Sequence, residues 1–554
     1  MFIQKENIKK FFKGEISDDE TTLAKYSRDT SLFEVKPALT TFPKDIADIE
    51  NLVQFVRQEK ENDKNSKISI TARSAGTDMS GGPLNESIIL DFTKYFNRIL
   101  KIGRSPADSS PEAVAEPGVF YRDFDKETMK KNYFLPSYPA SREICALGGM
   151  VSNNSGGEKT LRYGKTIDYV NEMEVVLNDG KKYALKPLVK SELDEKMRQK
   201  DFEGEIYRKT FDLIDKNYDL IQAARPKVSK NSAGYNLWDV WNGKIFNLSK
   251  LIVGSQGTLG ILTKINFRLA HFSPHSGMLV IFLKDLKSLA DVVNVILPFK
   301  PTSLESFDDH TFRLALKFFF GFIKLLAKNP ISLVLAFLPE FWSVLTRGMP
   351  KLVLMVEFEE EAREIVDRKL KDLNKTIVEK FGVETRIAKN EKEAKKYWVI
   401  RRESFNLLRQ RVKGKQTAPF VDDIIIRPEH LPEFLPKLYA ILDKYELFYT
   451  IAGHVGDGNF HIIPLMKLSD EKERGKIKPA MDEVYNLVLE FKGSLTAEHN
   501  DGLIRSPYLK QMFGPEVYKL FENIKDIFDP LGIFNPGKKV YSDISYALEH
   551  IKKS

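Results

Sequence analysis

Residues 452–461 read AGHVGDGNFH, with His454 and His461 at either end of a run of glycine and aspartate. Neutral imidazoles are common ligands of divalent ions, so the pair could supply part of a metal site. Asp457-Gly458 suits the centre of a two-residue type I′ hairpin turn. A turn there pairs Gly456 with Asn459, Val455 with Phe460 and His454 with His461. The two imidazoles then stand directly opposite on one face, Cβ atoms roughly 5 Å apart. The β-rich flanks at 448–451 and 460–463 favour this ribbon. In a helix, Gly453, Gly456 and Gly458 would each cost about 1 kcal/mol. A catalytic zinc site usually takes three protein ligands and keeps one position open. The stretch LTAEHNDGLIR (495–505) places Glu498 beside His499. Neighbours on a strand face opposite ways, so these two share one site only on a bend. Asn500-Asp501-Gly502 supplies turn-forming residues, and asparagine tolerates the left-handed backbone a bend needs.

A second chemical signal lies near the start. ARSAGTDMSGG (72–82) follows a β-rich run and crowds small residues, so successive backbone N–H groups can converge on an anion such as a diphosphate. No GxGxxG follows an early strand, which leaves a Rossmann site unsupported. Gly164-Lys165-Thr166 looks like the end of a P-loop, but Lys159 stands where the first glycine of that motif belongs. Two more small-residue loops, CALGGMVSNNSGGEKTLRYGKTIDYV (145–170) and LIVGSQGTLGIL (251–262), suggest a long cofactor threaded across a domain. For a carboxylate substrate, bidentate arginine is the natural partner, and KKYWVIRRESFNLLRQR (395–411) offers Arg401 and Arg402.

The elements that must position these groups read as follows. Residues 1–60 are helices and turns. From about 66 to 270, short β-rich runs (67–71, 87–92, 171–180) alternate with glycine-rich turns, and residues 191–225 are helix-like. From about 271, strands at 278–283 and 352–358 mix with helices at 360–381 and 429–445, as in an α+β domain. The expected division is a helical lead-in at 1–35, a cofactor domain at 36–270, a substrate or cap domain at 271–490, and a C-terminal segment at 491–554 that completes the site. The apolar stretch 314–345 is interrupted by Lys317, Lys324, Lys328, Pro330 and Pro339, and is a poor spanning helix. It reads either as two helices packed on the domain core or as a helical hairpin lying in a membrane interface.

Net charge is +8 over 554 residues, which suits anionic small substrates or weak attraction to an anionic membrane face. No basic run alternates with stacking aromatics, so nucleic acid is not an expected partner. The single cysteine, Cys145, excludes an internal disulfide and a cysteine-ligated iron–sulfur cluster. The opening residues lack the apolar core of a secretory signal, and a cytoplasmic location is expected.

Taken together, RSAGTDMSGG, PGV at 117–119, GGMVSNNSGGEKTLRYG, GSQGTLGI and the terminal FNPGK resemble the vanillyl-alcohol oxidase/p-cresol methylhydroxylase flavoprotein superfamily. Within it, residues 25–540 are similar to the FAD-linked 2-hydroxyacid dehydrogenase branch, which includes D-lactate, glycolate and D-2-hydroxyglutarate dehydrogenases. The resemblance implies an α+β fold: a two-subdomain FAD-binding domain of the p-cresol methylhydroxylase type, an α+β cap, and C-terminal helices returning to the FAD domain. It implies that Arg73, Ser74, Ala75, Gly76, Thr77, Asp78, Ser80 and Gly81 hold the FAD pyrophosphate. Pro139, Ala140, Ser141, Gly148, Gly149, Asn154 and Gly157 would line the cofactor, Gly254, Gly257, Thr258 and Gly260 would contact it from below, and Asn535 would approach the flavin ring. Thr77 stands where some members carry a histidine linked to FAD, so non-covalent FAD is expected. Gln256 departs from the glutamate frequent in the branch. By the same resemblance His454, His461 and Glu498 bind Zn²⁺ or Mn²⁺, His499 is the base, Arg401 holds the substrate carboxylate with Arg402 as fallback, and Asn459 contacts substrate. A neutral imidazole near its ordinary pKa could accept a hydroxyl proton.

The expected activity is oxidation of a D-2-hydroxyacid to the 2-oxoacid, with electrons passed to a quinone, an electron-transfer flavoprotein or a cytochrome. Ile462 and Ile463, where hydroxyglutarate enzymes carry a polar contact, lean towards D-lactate. The competing readings are an alkylglycerone-phosphate synthase-like transferase, which would carry adjacent histidines, and a non-catalytic flavin subunit of a membrane complex.

Overall fold

A computed structural model of the chain describes residues 5–317, 348–411 and 414–553. Most of the apolar stretch 314–345 lies outside these residues. Three sheets organise the rest. The first has four strands in the order Glu15–Ser17, Leu39–Phe42, Ile88–Asp91, Ile70–Arg73, the last three mutually parallel. The helix Ile46–Asn62 covers it, capped by the Asp45 carboxylate on the amide of Asp48. Its buried Ile49, Leu52, Val53 and Val56 recur at helical spacing, which explains the one-sided packing. The second sheet is antiparallel, with five strands in the order Ile99–Arg104, Pro111–Ala115, Ile261–Arg268, Val170–Val176, Lys182–Leu185.

The third sheet joins Glu384–Ile387, His275–Leu283, Leu352–Glu360, Ser303–Asp308, Phe448–His454, Asn459–Met466 and Gln416–Thr417 in that order, and Ile424–Ile425 pairs with Asn459–Met466. Helix Arg363–Phe381 packs on one face, with Val366 and Leu370 against Gly277, where a Cβ atom would lie 2.6 Å from Val366. The chain then returns to the first sheet: Ile70 bridges to Phe534, and Asn535 donates its amide to the Ile70 carbonyl. The α+β class and the C-terminal return thus stand as expected from the sequence. Among the described residues, no helix is long and apolar enough to cross a membrane.

Side chains tie residues 158–162 to the third sheet and to the helix Glu391–Arg411. Lys159 pairs with Glu359 at 2.8 Å, Arg162 with Glu360 at 3.5 Å, and Arg402 with Glu158. These contacts fix how the segment 158–162, which enters the short helix Thr160–Tyr163, meets the sheet that carries the histidines.

Candidate active site

One cleft runs through the molecule from the loop after Ile70–Arg73 to the bend at Glu498-His499. The space between its walls is about 1700 Å³, open mouth included. Its lining includes Arg73, Ser74, Ala75, Gly76, Thr77, Asp78, Pro139, Ala140, Ser141, Gly148, Gly149, Gly257 and Gly260, and it ends on Glu498 and His499. Among the described residues, the amides of residues 74–79 donate to no protein acceptor. Such a row of unpaired N–H groups is an anion nest.

The remaining loop amides are already used. Asp78 Oδ2 accepts from the amides of Ser80 and Gly82 at 2.9 and 2.8 Å, and Asp29 Oδ2 accepts from Gly81 at 3.1 Å. Ser80 and Gly81 therefore brace the loop and do not line the cleft. Nor do Asn154, Gly157, Gly254, Thr258 and Asn535. Asn154 and Gly254 line a second, more polar cavity. Thr258 bonds Tyr235 Oη at 2.7 Å. Gly157 packs where a Cβ would meet the Tyr138 carbonyl at 2.2 Å. Asn535 donates to the carbonyls of Gly82 and Gln256 at 2.9 and 2.7 Å. Arg73 lines the cleft, yet its guanidinium donates to the carbonyls of Tyr26 and Arg28, at 3.1 and 2.7 Å.

Gln256, the departure from the branch, explains itself here. Its amide nitrogen donates to Ser80 Oγ and Asn153 Oδ1, both at 3.2 Å, while its Oε1 accepts from the Gly502 amide at 2.8 Å. Donor and acceptor are both needed, and a carboxylate offers only the second.

The histidine ribbon forms, but its register corrects the expected one. His454 pairs with Asn459, Gly453 with Phe460 and Ala452 with His461, and residues 455–458 make a four-residue turn. The cause is tertiary. The Gly456 amide donates to the Leu304 carbonyl at 3.2 Å, Ser229 Oγ to the Asp457 carbonyl at 3.2 Å, and Lys230 reaches the Asp457 carboxylate at 3.3 Å. A slip of two residues preserves the face, because side chains alternate with period two. His454 and His461 are therefore diagonal neighbours, ring centroids 5.2 Å apart.

Glu498 and His499 do share a site, on the expected bend: Asn500 has φ 68° and Gly502 φ 53°. The bend is gripped by Asp423, whose Oδ2 accepts from the amides of Glu498 and His499 at 2.8 and 2.7 Å and from Thr496 Oγ1 at 2.6 Å. Lys165 adds a bond from Nζ to the Ala497 carbonyl at 2.6 Å; burial pushes this lysine down to about 7. Asn459 donates to Asp423 Oδ1 at 3.2 Å and to the Ile424 carbonyl at 3.1 Å. Its side-chain contacts are thus with this bracket.

Among the described residues, ligand atoms of Asp423, His461, Glu498 and His499 lie within 4.8 Å of one another. Asp423 spends its oxygens on the bracket, and His454 enters from the side, Nε2 3.6 Å from Glu498 Oε2. The donor set fits a divalent ion. Each imidazole has Nδ1 against a buried carboxylate: His454 on Glu305 at 2.5 Å, His461 on Asp422 at 3.3 Å, His499 on Asp422 at 2.8 Å. An ionised carboxylate only accepts, so Nδ1 carries the proton and Nε2 is the atom left for a ligand or a base.

These partners set the charges. Burial opposes a charge on His499, but Asp423, Asp422 and Glu498 outweigh it and raise its pKa to about 9. The expectation of an imidazole near its ordinary pKa is corrected accordingly. Burial lowers His461, whereas the Glu305 charge overcomes burial to raise His454. Burial likewise opposes ionisation of Glu498, and Lys230 and His454 hold it well below the usual carboxylate range.

Arg401 is buried, its Nε on Glu305 and Nη2 3.4 Å from His454 Nδ1. Arg402 lies over Trp398, 4.5 Å from the ring centroid, and pairs with Glu158. Sequence reasoning missed Glu305, Asp422, Asp423 and Lys230. The adjacent acids in FVDDIII were the one visible signal.

The chain matches two families in order: "FAD binding domain" over residues 37–185 and "FAD linked oxidases, C-terminal domain" over residues 273–539. It is 26% identical over 537 residues to the D-2-hydroxyglutarate dehydrogenase of Pseudomonas putida, covering 95% of this chain and 50% of the relative. The chain thus spans about half the length of that relative. It is 25% identical to the glycolate oxidase subunit GlcD of Bacillus subtilis, covering 94% of this chain and 92% of the relative. In fold it is similar to p-cresol methylhydroxylase with substrate bound, TM-score 0.66 at 18% identity, covering 95% of this chain and 94% of that one. The chain thus carries, in order, the FAD-binding domain and the C-terminal domain of FAD-linked oxidases, and it is similar to relatives named as hydroxyacid dehydrogenases, the branch that its loop motifs resemble.

Proposed function

We propose that the protein oxidises a small D-2-hydroxyacid, D-lactate-like, to the 2-oxoacid. The observation that carries this reading is the continuity of the cleft, from the unpaired amides of residues 74–79 to Glu498 and His499. Those amides hold the FAD pyrophosphate without a covalent link, Thr77 offering no imidazole. Bound FAD supplies a hydride acceptor. Zn²⁺ or Mn²⁺ on His454, His461 and Glu498 supplies a Lewis acid for the substrate oxygens and lowers the proton affinity of His499 by its charge.

The residues do the rest. Arg401 presents its guanidinium to the substrate carboxylate, held in orientation by Glu305. His499 takes the hydroxyl proton at Nε2, with Nδ1 locked on Asp422. Ile463 shares the ribbon face of His461, whereas Ile462 is fully buried, so Ile463 meets the substrate's side chain. An apolar wall there suits a methyl group better than a second carboxylate.

In this reading residues 36–270 hold FAD, 271–490 form the cap and 491–554 complete the site, within a cytoplasmic enzyme. Electrons leave to a quinone, an electron-transfer flavoprotein or a cytochrome. The relatives named for D-2-hydroxyglutarate and glycolate support the substrate class. Anaerobic dye reduction with a panel of D- and L-2-hydroxyacids tests it. Turnover with D-lactate-like acids is expected, and reduction by no D-2-hydroxyacid overturns the reading.

A further inference from the structure

The side chain of Lys230 has no exposed surface, and its ammonium sits between two carboxylates, against Glu498 and 3.3 Å from Asp457. Its backbone is fastened on both sides. Ser229 Oγ donates to the Asp457 carbonyl, the Ser232 amide donates to the Thr496 carbonyl at 3.1 Å, and Ser494 Oγ donates to Asn231 Oδ1 at 2.6 Å. Lys165 Nζ binds the Asn231 carbonyl at 2.9 Å and Ser232 Oγ at 2.6 Å. The loop therefore delivers the ammonium to the gap between the histidine ribbon and the 494–499 segment.

The ammonium takes Glu498 Oε1, and Oε2 is the oxygen that faces His454 Nε2 at 3.6 Å. We infer that Lys230 is a built-in counter-cation of the metal site: it neutralises Glu498 when no ion is bound and restricts the carboxylate to one ligating oxygen. The inference rests on the reading that His454, His461 and Glu498 hold a divalent ion. Lys230 is a positioning residue, since it acts through Glu498. Its charge repels an incoming dication at short range, in a site with little water to screen it. The arrangement keeps the metal-free site folded at the expense of metal affinity.

A merely structural lysine and a counter-cation predict different signs. Replacing Lys230 with glutamine removes the repulsion and frees Glu498 Oε1, so Zn²⁺ should bind at least about tenfold tighter, read by competition with a chromophoric chelator. Asp457→Asn removes a nearby negative charge and leaves the ammonium to Glu498 alone, so Zn²⁺ should bind more weakly. Lys230→Arg should stay near the unmodified protein. FAD absorbance and the melting profile show that each variant is folded. The zinc-induced rise in Tm should be larger in Lys230→Gln than in the unmodified protein. If Lys230→Gln binds Zn²⁺ no tighter, or fails to fold while Asp457→Asn tightens binding or leaves it unchanged, the inference is overturned and the metal reading stands. If neither the unmodified protein nor Lys230→Gln binds a divalent ion, the metal reading itself falls, and the inference with it.

Discussion

Asp422→Asn is the perturbation that bears most directly on His499. The Asp422 carboxylate receives His499 Nδ1 at 2.8 Å and His461 Nδ1 at 3.3 Å, and it is fully buried. An opposite charge at this range shifts a pKa by about 1–3 units. Asp423 and Glu498 remain in the variant, so His499 should fall from about 9 by roughly 1–2 units in the metal-free protein. Carbon-13 labelling of the histidine rings reads this directly. The chain has eight histidines, and a His499→Gln variant assigns the resonance. The same shift enters stability. A folded-state pKa raised above the ordinary 6.5 stabilises fully below pH 6.5 and loses that contribution as pH rises through about 9. For this rise the contribution is roughly 3 kcal/mol. The variant should therefore be less stable than the parent at pH 6, with the gap closing towards pH 9 and above. Substrate-driven flavin reduction should slow by at least about a hundredfold, because the imidazole loses the acceptor that fixes its tautomer. A His499 resonance that titrates at the parental pH in Asp422→Asn, or higher, would refute this assignment of charges.

Arg401→Met should lower kcat/KM by about a hundredfold, mainly through KM, since a charged hydrogen bond to the substrate carboxylate is lost; steady-state dye assays check it. Strong chelation should abolish flavin reduction by substrate while FAD absorbance persists, and added Zn²⁺ or Mn²⁺ should restore it; undiminished activity in metal-depleted protein contradicts the metal reading. Gln256→Glu should lose about 1–3 kcal/mol, because a carboxylate there faces Asn153 Oδ1 without a proton to donate. Denaturant melts of the two proteins with matched FAD content measure the difference.

The parts of this site that were legible in the sequence share one property: their geometry is local. Among the described residues, the loop at 74–79 keeps its amides off protein acceptors, and Asn500 takes its left-handed backbone from the bend it sits on. The histidine face was legible for a subtler reason. Asp457-Gly458 invites a two-residue turn, but contacts from Leu304, Ser229 and Lys230 widen it to four residues. Gly458 is pressed so close to the Ile426 carbonyl that a Cβ would lie 1.9 Å away. The register slips by an even number, so the imidazoles keep their face and lose only their direct opposition. What sequence spacing could not reveal is the layer behind them. Glu305, Asp422 and Lys230 come from three segments distant in sequence, and only the tertiary fold brings them to the ribbon and the 494–499 segment. That layer decides which nitrogen of each imidazole is left over, which oxygen of Glu498 is open, and how tightly His499 holds its proton. The ribbon presents the imidazole nitrogens, and the carboxylates and lysine behind it set the charge around them.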